Sequence, residues 1–80
     1  MKITIYSKPD CGACDFVKLW FDNREVKYEE VDAYEDEQAM EALQEHGFRG
    51  FPVTAIGSLD DAFIGFDLPR MEKAVEEYRS

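Results

Sequence analysis

Two side chains in this 80-residue chain join nucleophilic chemistry to close spacing: Cys11 and Cys14, in the run Cys11-Gly12-Ala13-Cys14. A thiol attacks as its thiolate, and two thiols at i and i+3 can share one side of a helical first turn and close a disulfide where the Cβ geometry is met. The run follows an alternating segment, Lys2-Ile3-Thr4-Ile5-Tyr6, that reads as a strand, and it opens an apolar-periodic segment that reads as a helix. Alone, C-x-x-C is weak evidence. Within a strand–helix–strand unit it points to reversible dithiol–disulfide exchange.

The start of a helix supplies the electrostatics, because unpaired N–H groups and the positive end of the dipole favour thiolate over thiol. Cys11, nearer that end, reads as the attacking nucleophile, and Cys14 as the resolving thiol. Lowering a thiol pKa from about 8.5 to about 7 raises the thiolate fraction ~15-fold and cuts nucleophilicity ~5-fold, a net gain of ~3-fold. The larger benefit comes when the same sulfur leaves. Lys8, three residues before Cys11, can add positive charge or stand as a solvated lysine. The competing chemistry is metal binding. Zinc takes four ligands, whereas the soft or borderline donors here are Cys11, Cys14 and His46, so a carboxylate or a second chain would have to complete the set. His46, just before Gly47, reads instead as a helix cap. No metal site and no cofactor are expected.

The elements that must position the cysteines follow from periodicity. Residues 2–6 form a strand, broken by Ser7-Lys8-Pro9-Asp10. A helix runs from Asp10 to near Asn23, with Phe16, Val17, Trp20 and Phe21 on its apolar face. Val26–Val31 resembles a second strand, although Glu29 and Glu30 blur its alternation. Glu35–His46 reads as a helix with Ala39, Met40 and Leu43 inward and Gly47 as its stop. Pro52–Ile56 is a third strand, Gly57–Asp61 a turn, and Ala62–Ile64 a short fourth strand. After Asp67 a helix carries Leu68, Met71, Ala74, Val75 and Tyr78 inward, with Pro69 tolerated in its first turn. The order β-α-β-α-β-β-α implies a parallel pair joined by a right-handed crossover and an antiparallel hairpin. The expected fold class is α/β, a mixed four-stranded sheet flanked by three helices, as one domain over residues 1–80.

Composition narrows the function classes. Eighteen acidic against nine basic residues give a net charge of -9, which repels nucleic-acid phosphates and suits solubility or steering toward a basic partner. An apolar content of 45%, with six Phe and four Tyr, is enough for a packed core. The first residues make no signal-peptide core and no apolar run approaches membrane-spanning length, so a cytoplasmic location is expected, and the chain is expected to act as a monomer. Two cysteines do not make the dense disulfide framework of a small secreted domain.

The run Ile3-Thr4-Ile5-Tyr6-Ser7-Lys8-Pro9 through Cys11-Gly12-Ala13-Cys14 resembles the glutaredoxin opening on a thioredoxin fold. Gly47-Phe48-Arg49-Gly50-Phe51-Pro52-Val53, followed by Phe63-Ile64-Gly65-Phe66, is similar to the NrdH-type redoxins. That resemblance implies an electron carrier reduced by thioredoxin reductase and acting as hydrogen donor to ribonucleotide reductase. It implies that Pro52 is a cis-proline opposite the cysteines, leaving the Phe51 backbone free to pair with a substrate strand. Phe51, Pro52 and Val53 would form a partner-binding lip beside Cys11, with Gly65 and Phe66 on the same face. The redoxin pattern has Trp-Ser before the Gly-Phe and Arg-Pro after it, where this chain has Phe63-Ile64 and Asp67-Leu68-Pro69. Lys8 and Asp67 resemble glutathione contacts of glutaredoxins, but the paired glycines and the Thr-Val-Pro of that site are missing. A glutathione-dependent dithiol glutaredoxin is the alternative, and a metal- or cluster-binding module a third reading from another class.

Overall fold

The computed structural model describes residues 1–80. The elements are β1 (Ile3–Ser7), α1 (Gly12–Asn23), β2 (Tyr28–Asp32), α2 (Glu37–Glu45), β3 (Val53–Ile56), β4 (Ser58–Ile64) and α3 (Leu68–Arg79). The sheet order is β2-β1-β3-β4, with β1 parallel to β2 and the other two pairings antiparallel. This is the α/β order the periodicity implies. No helix is long and apolar enough to cross a membrane.

Alternation along β1 divides the apolar residues between two layers. Ile3 and Ile5 join Val17, Trp20 and Phe21 of α1 and Met71 and Ala74 of α3 on one face. Tyr6 turns to the other, where Leu43 of α2 packs with Ala33 and Val53.

The boundaries shift for local reasons. α1 and α2 begin at Gly12 and Glu37, later than Asp10 and Glu35, because Cys11 and Asp36 are extended N-cap residues. β2 begins at Tyr28 and not at Val26, because residues 24–26 finish α1. The Val26 N–H donates to the Phe21 carbonyl at 3.1 Å and the Glu25 N–H to that of Asp22 at 3.0 Å, a Schellman ending with Glu25 at φ 58°. α2 ends in the same motif, with Phe48 N–H to Leu43 carbonyl at 2.9 Å and Gly47 at φ 83°. β3 starts at Val53, after Pro52, which has no N–H for the ladder.

Two further expectations are corrected. Ser58–Asp61 belong to β4, because the reversal is made at Gly57 (φ 82°), with Ile56 already paired to Ser58. Phe16 and Leu68 do not face the core. Phe16 lies about 100° around the helix from Val17 and outside the stripe of Cys14, Val17 and Phe21. Leu68 is the first residue of α3 and projects into solvent.

Candidate redox site

Strand register gathers the sequence-predicted residues at one end of the sheet. Tyr6 pairs with Val53, Val53 with Ile64, and Ser7 with Asp32. The segments leaving β1 toward Cys11, leaving β2 toward Tyr34, entering β3 through Phe51-Pro52 and leaving β4 through Gly65-Phe66 therefore converge there.

Cys11 is the N-cap of α1, and its Sγ accepts the Cys14 N–H at 3.1 Å. A sulfur in that position is aimed at the unpaired donors of the first turn, which stabilise it further once it carries charge. Asp10, just before it, sits in the left-handed region at φ 54°. Cys11 and Cys14 form a disulfide with Cα atoms 5.2 Å apart. Cys11 retains 9% exposure against 1% for Cys14, so an incoming reactant reaches Cys11 first.

The Phe51–Pro52 peptide is cis, the isomer the resemblance implies. The buried Pro52 accepts the Gly65 N–H on its carbonyl at 2.8 Å, tying the two loops together. Gly65 holds φ 73°, a conformation that favours glycine. Phe66 is half-exposed and meets the half-exposed Phe16 of α1 edge-on, with ring centroids 5.1 Å apart. Phe51 meets Tyr34 in the same manner at 6.1 Å. The Val53 side chain is fully buried in the layer under α2, which leaves its backbone to border the site. A groove of about 500 Å³ runs from Phe51 and Arg49 past Tyr34 to Met40 and Gln44 of α2.

The structure places the two expected glutathione contacts apart in role. Lys8 is exposed and makes no ion pair. Asp67 caps α3, accepting the Arg70 N–H at 3.3 Å, and faces the Arg70 guanidinium at 3.6 Å. His46, the third soft donor, has its Nδ1 on the Ala42 carbonyl at 2.9 Å and its Nε2 on Asp60 at 3.2 Å.

Sequence reading missed a polar cluster beside the cysteine helix. Lys18, one turn after Cys14, donates to Glu30 at 2.6 Å and lies 3.4 Å from Asp15, and the buried Ser7 hydroxyl donates to Glu30 at 3.2 Å. The hydrogen bond from Lys18 holds the Glu30 carboxyl below its ordinary range, and the same bond raises the Lys18 ammonium. Its trace in the sequence is Glu30 itself, which interrupts the alternation of β2.

A disulfide at the head of a helix, at one end of a mixed sheet of this order, defines the class: a thiol–disulfide oxidoreductase of thioredoxin-like fold. The glutaredoxin family profile matches residues 3–59. Glutaredoxin-like protein NrdH of Lactococcus lactis subsp. lactis is 39% identical over 64 residues, covering 80% of this chain and 86% of that protein. NrdH of Escherichia coli K12 is 39% identical over 59 residues, covering 74% and 73%. The solved structure of Escherichia coli NrdH-redoxin, a glutaredoxin-like protein with a thioredoxin-like activity profile, superposes with a TM-score of 0.83 at 34% identity over 91% of this chain and 93% of that one. The chain belongs to the glutaredoxin family and, within it, to the glutaredoxin-like NrdH redoxins.

Proposed function

We propose that this redoxin carries electrons from thioredoxin reductase to ribonucleotide reductase, as a cytoplasmic monomer whose 80 residues act as one domain. Cys11 attacks the acceptor disulfide to give a mixed disulfide, and Cys14 resolves it, leaving the acceptor reduced and the Cys11–Cys14 disulfide closed. The half-buried Phe51, the backbone at Pro52 and Val53, and the Gly65-Phe66 turn receive the partner beside Cys11; Lys8 and Asp67 border it. The observation that carries the choice of reductant is the likeness over most of both chains to a redoxin of thioredoxin-like activity profile. The engagement of Asp67 in capping α3 supports it, since that carboxylate is one of two expected glutathione contacts.

The acceptor is tested by ribonucleotide reductase turnover with NADPH, thioredoxin reductase and this protein as the sole hydrogen donor. Deoxyribonucleotide formation that depends on both cysteines is expected. Turnover unchanged when the redoxin is omitted contradicts the assignment.

A further inference from the structure

One buried polar side-chain atom has no hydrogen-bond partner, the hydroxyl of Thr54, whose residue is 0% exposed. A buried hydroxyl without a bond destabilises the fold, and a valine of similar shape would avoid that cost. The strand register shows where the hydroxyl lies. Thr54 sits opposite Ile5 of β1 and Phe63 of β4, and both belong to the layer between the sheet and α1 and α3. Val17 of α1 is in the same layer, and Cys14, one turn closer to the redox end, is 1% exposed. The next residue of β1 on that face is Ser7, at the root of the cysteine loop. Thr54 and Cys14 therefore share the water-excluded layer under the first turn of α1.

The other polar groups of that layer are committed. The Ser7 hydroxyl donates to Glu30, and Lys18 is held by Glu30 and Asp15. The Cys14 N–H is directed to Cys11 Sγ. In the oxidised protein the Cys14 sulfur is an uncharged disulfide atom and a weak acceptor. Reduction by a dithiol breaks the Cys11–Cys14 bond and closes a disulfide on the donor, so that two electrons and two protons pass to the two sulfurs. In the next turnover Cys14 must give up its proton and attack the mixed disulfide as a thiolate where water does not reach it.

We propose that Thr54 is a redox-tuning residue, unpaired in the disulfide form and donating its hydroxyl hydrogen to the Cys14 sulfur in the reduced form. A bond made only after reduction stabilises the dithiol and raises the reduction potential. Thr54→Val is expected to shift the equilibrium with a glutathione redox buffer about fivefold toward the disulfide, about 20 mV at about 30 mV per tenfold change. Thr54→Ser keeps the hydroxyl and is expected to keep the potential. Melting gives a second readout: the valine variant gains in Tm over the natural protein when oxidised and not when reduced. A potential unchanged in Thr54→Val, an equal gain in Tm for both redox forms, or a serine variant that shifts with the valine one would overturn the proposal.

Discussion

The two sulfurs differ by what surrounds them. Cys11 caps α1 and receives an N–H from Cys14, whereas Cys14 is sealed beneath the helix. A reactant from solvent meets the capped sulfur, whose thiolate the helix end favours. Replacing Cys14 by Ser is expected to preserve attack and block resolution, so that a mixed disulfide with an acceptor accumulates and is seen by mass spectrometry of the intact adduct. Cys11→Ser is expected to form none. A trapped adduct on the Cys11 variant alone would reverse the two roles. This pair was legible in the sequence because its chemistry is local, whereas the polar cluster beside it was not. Ser7, Lys18 and Glu30 meet only through strand register and the placement of α1.

Among the elements, the helix endings carry the clearest energetics. α1 and α2 close with the same hydrogen-bond pattern, but the left-handed residue is Glu25 in one and Gly47 in the other. An L-residue in that conformation costs roughly 1–2 kcal/mol, so Gly47→Ala is expected to destabilise by about 1 kcal/mol in urea denaturation. Glu25→Gly is expected to stabilise by about 0.5 kcal/mol, because the greater freedom of glycine in the unfolded chain offsets part of the relief. The chemistry of these residues explains why the end of α2 could be read and the start of β2 could not: Gly47 announces a stop, and Glu25 gives no sign of one. Phe16 misled for a related reason, since apolar character placed it inward while its angle around α1 turned it to Phe66. His46 links the end of α2 to β4, with both ring nitrogens facing oxygen acceptors, an arrangement that only the doubly protonated ring satisfies. The Ala42 carbonyl, then Asp60, raise the imidazole above its ordinary 6.5. A group raised on folding stabilises fully below its unfolded pKa and loses that contribution as pH climbs through the folded one. The Tm advantage of the natural protein over His46→Ala is therefore expected at about pH 5.5 and to shrink by about pH 8.5; an advantage that grows with pH would contradict the linkage.

For the whole molecule, charge bears on the choice of partner. The net charge is -9, and residues 29–45 contain eight carboxylates and no lysine or arginine. Lys2 and Lys18 reach that stretch only at Glu29 and Glu30, so α2 presents acid beside the groove that starts at Phe51. Peptide disulfides with flanking lysines are expected to be reduced faster than those with flanking glutamates at low salt, and the rates to converge near about 1 M salt, where screening acts within about 3 Å. The α/β order was legible because β1 and the helices keep their periods, and the shared sheet end follows from that order. The partner was not legible, because a reductase and glutathione would use the same two sulfurs and would differ in contacts spread over several loops. The most direct measurement is insulin-disulfide reduction at equal redoxin concentration, driven by NADPH with thioredoxin reductase or by NADPH with glutathione and glutathione reductase. Faster turnover with thioredoxin reductase is predicted, and efficient turnover with glutathione alone would contradict the proposed electron route.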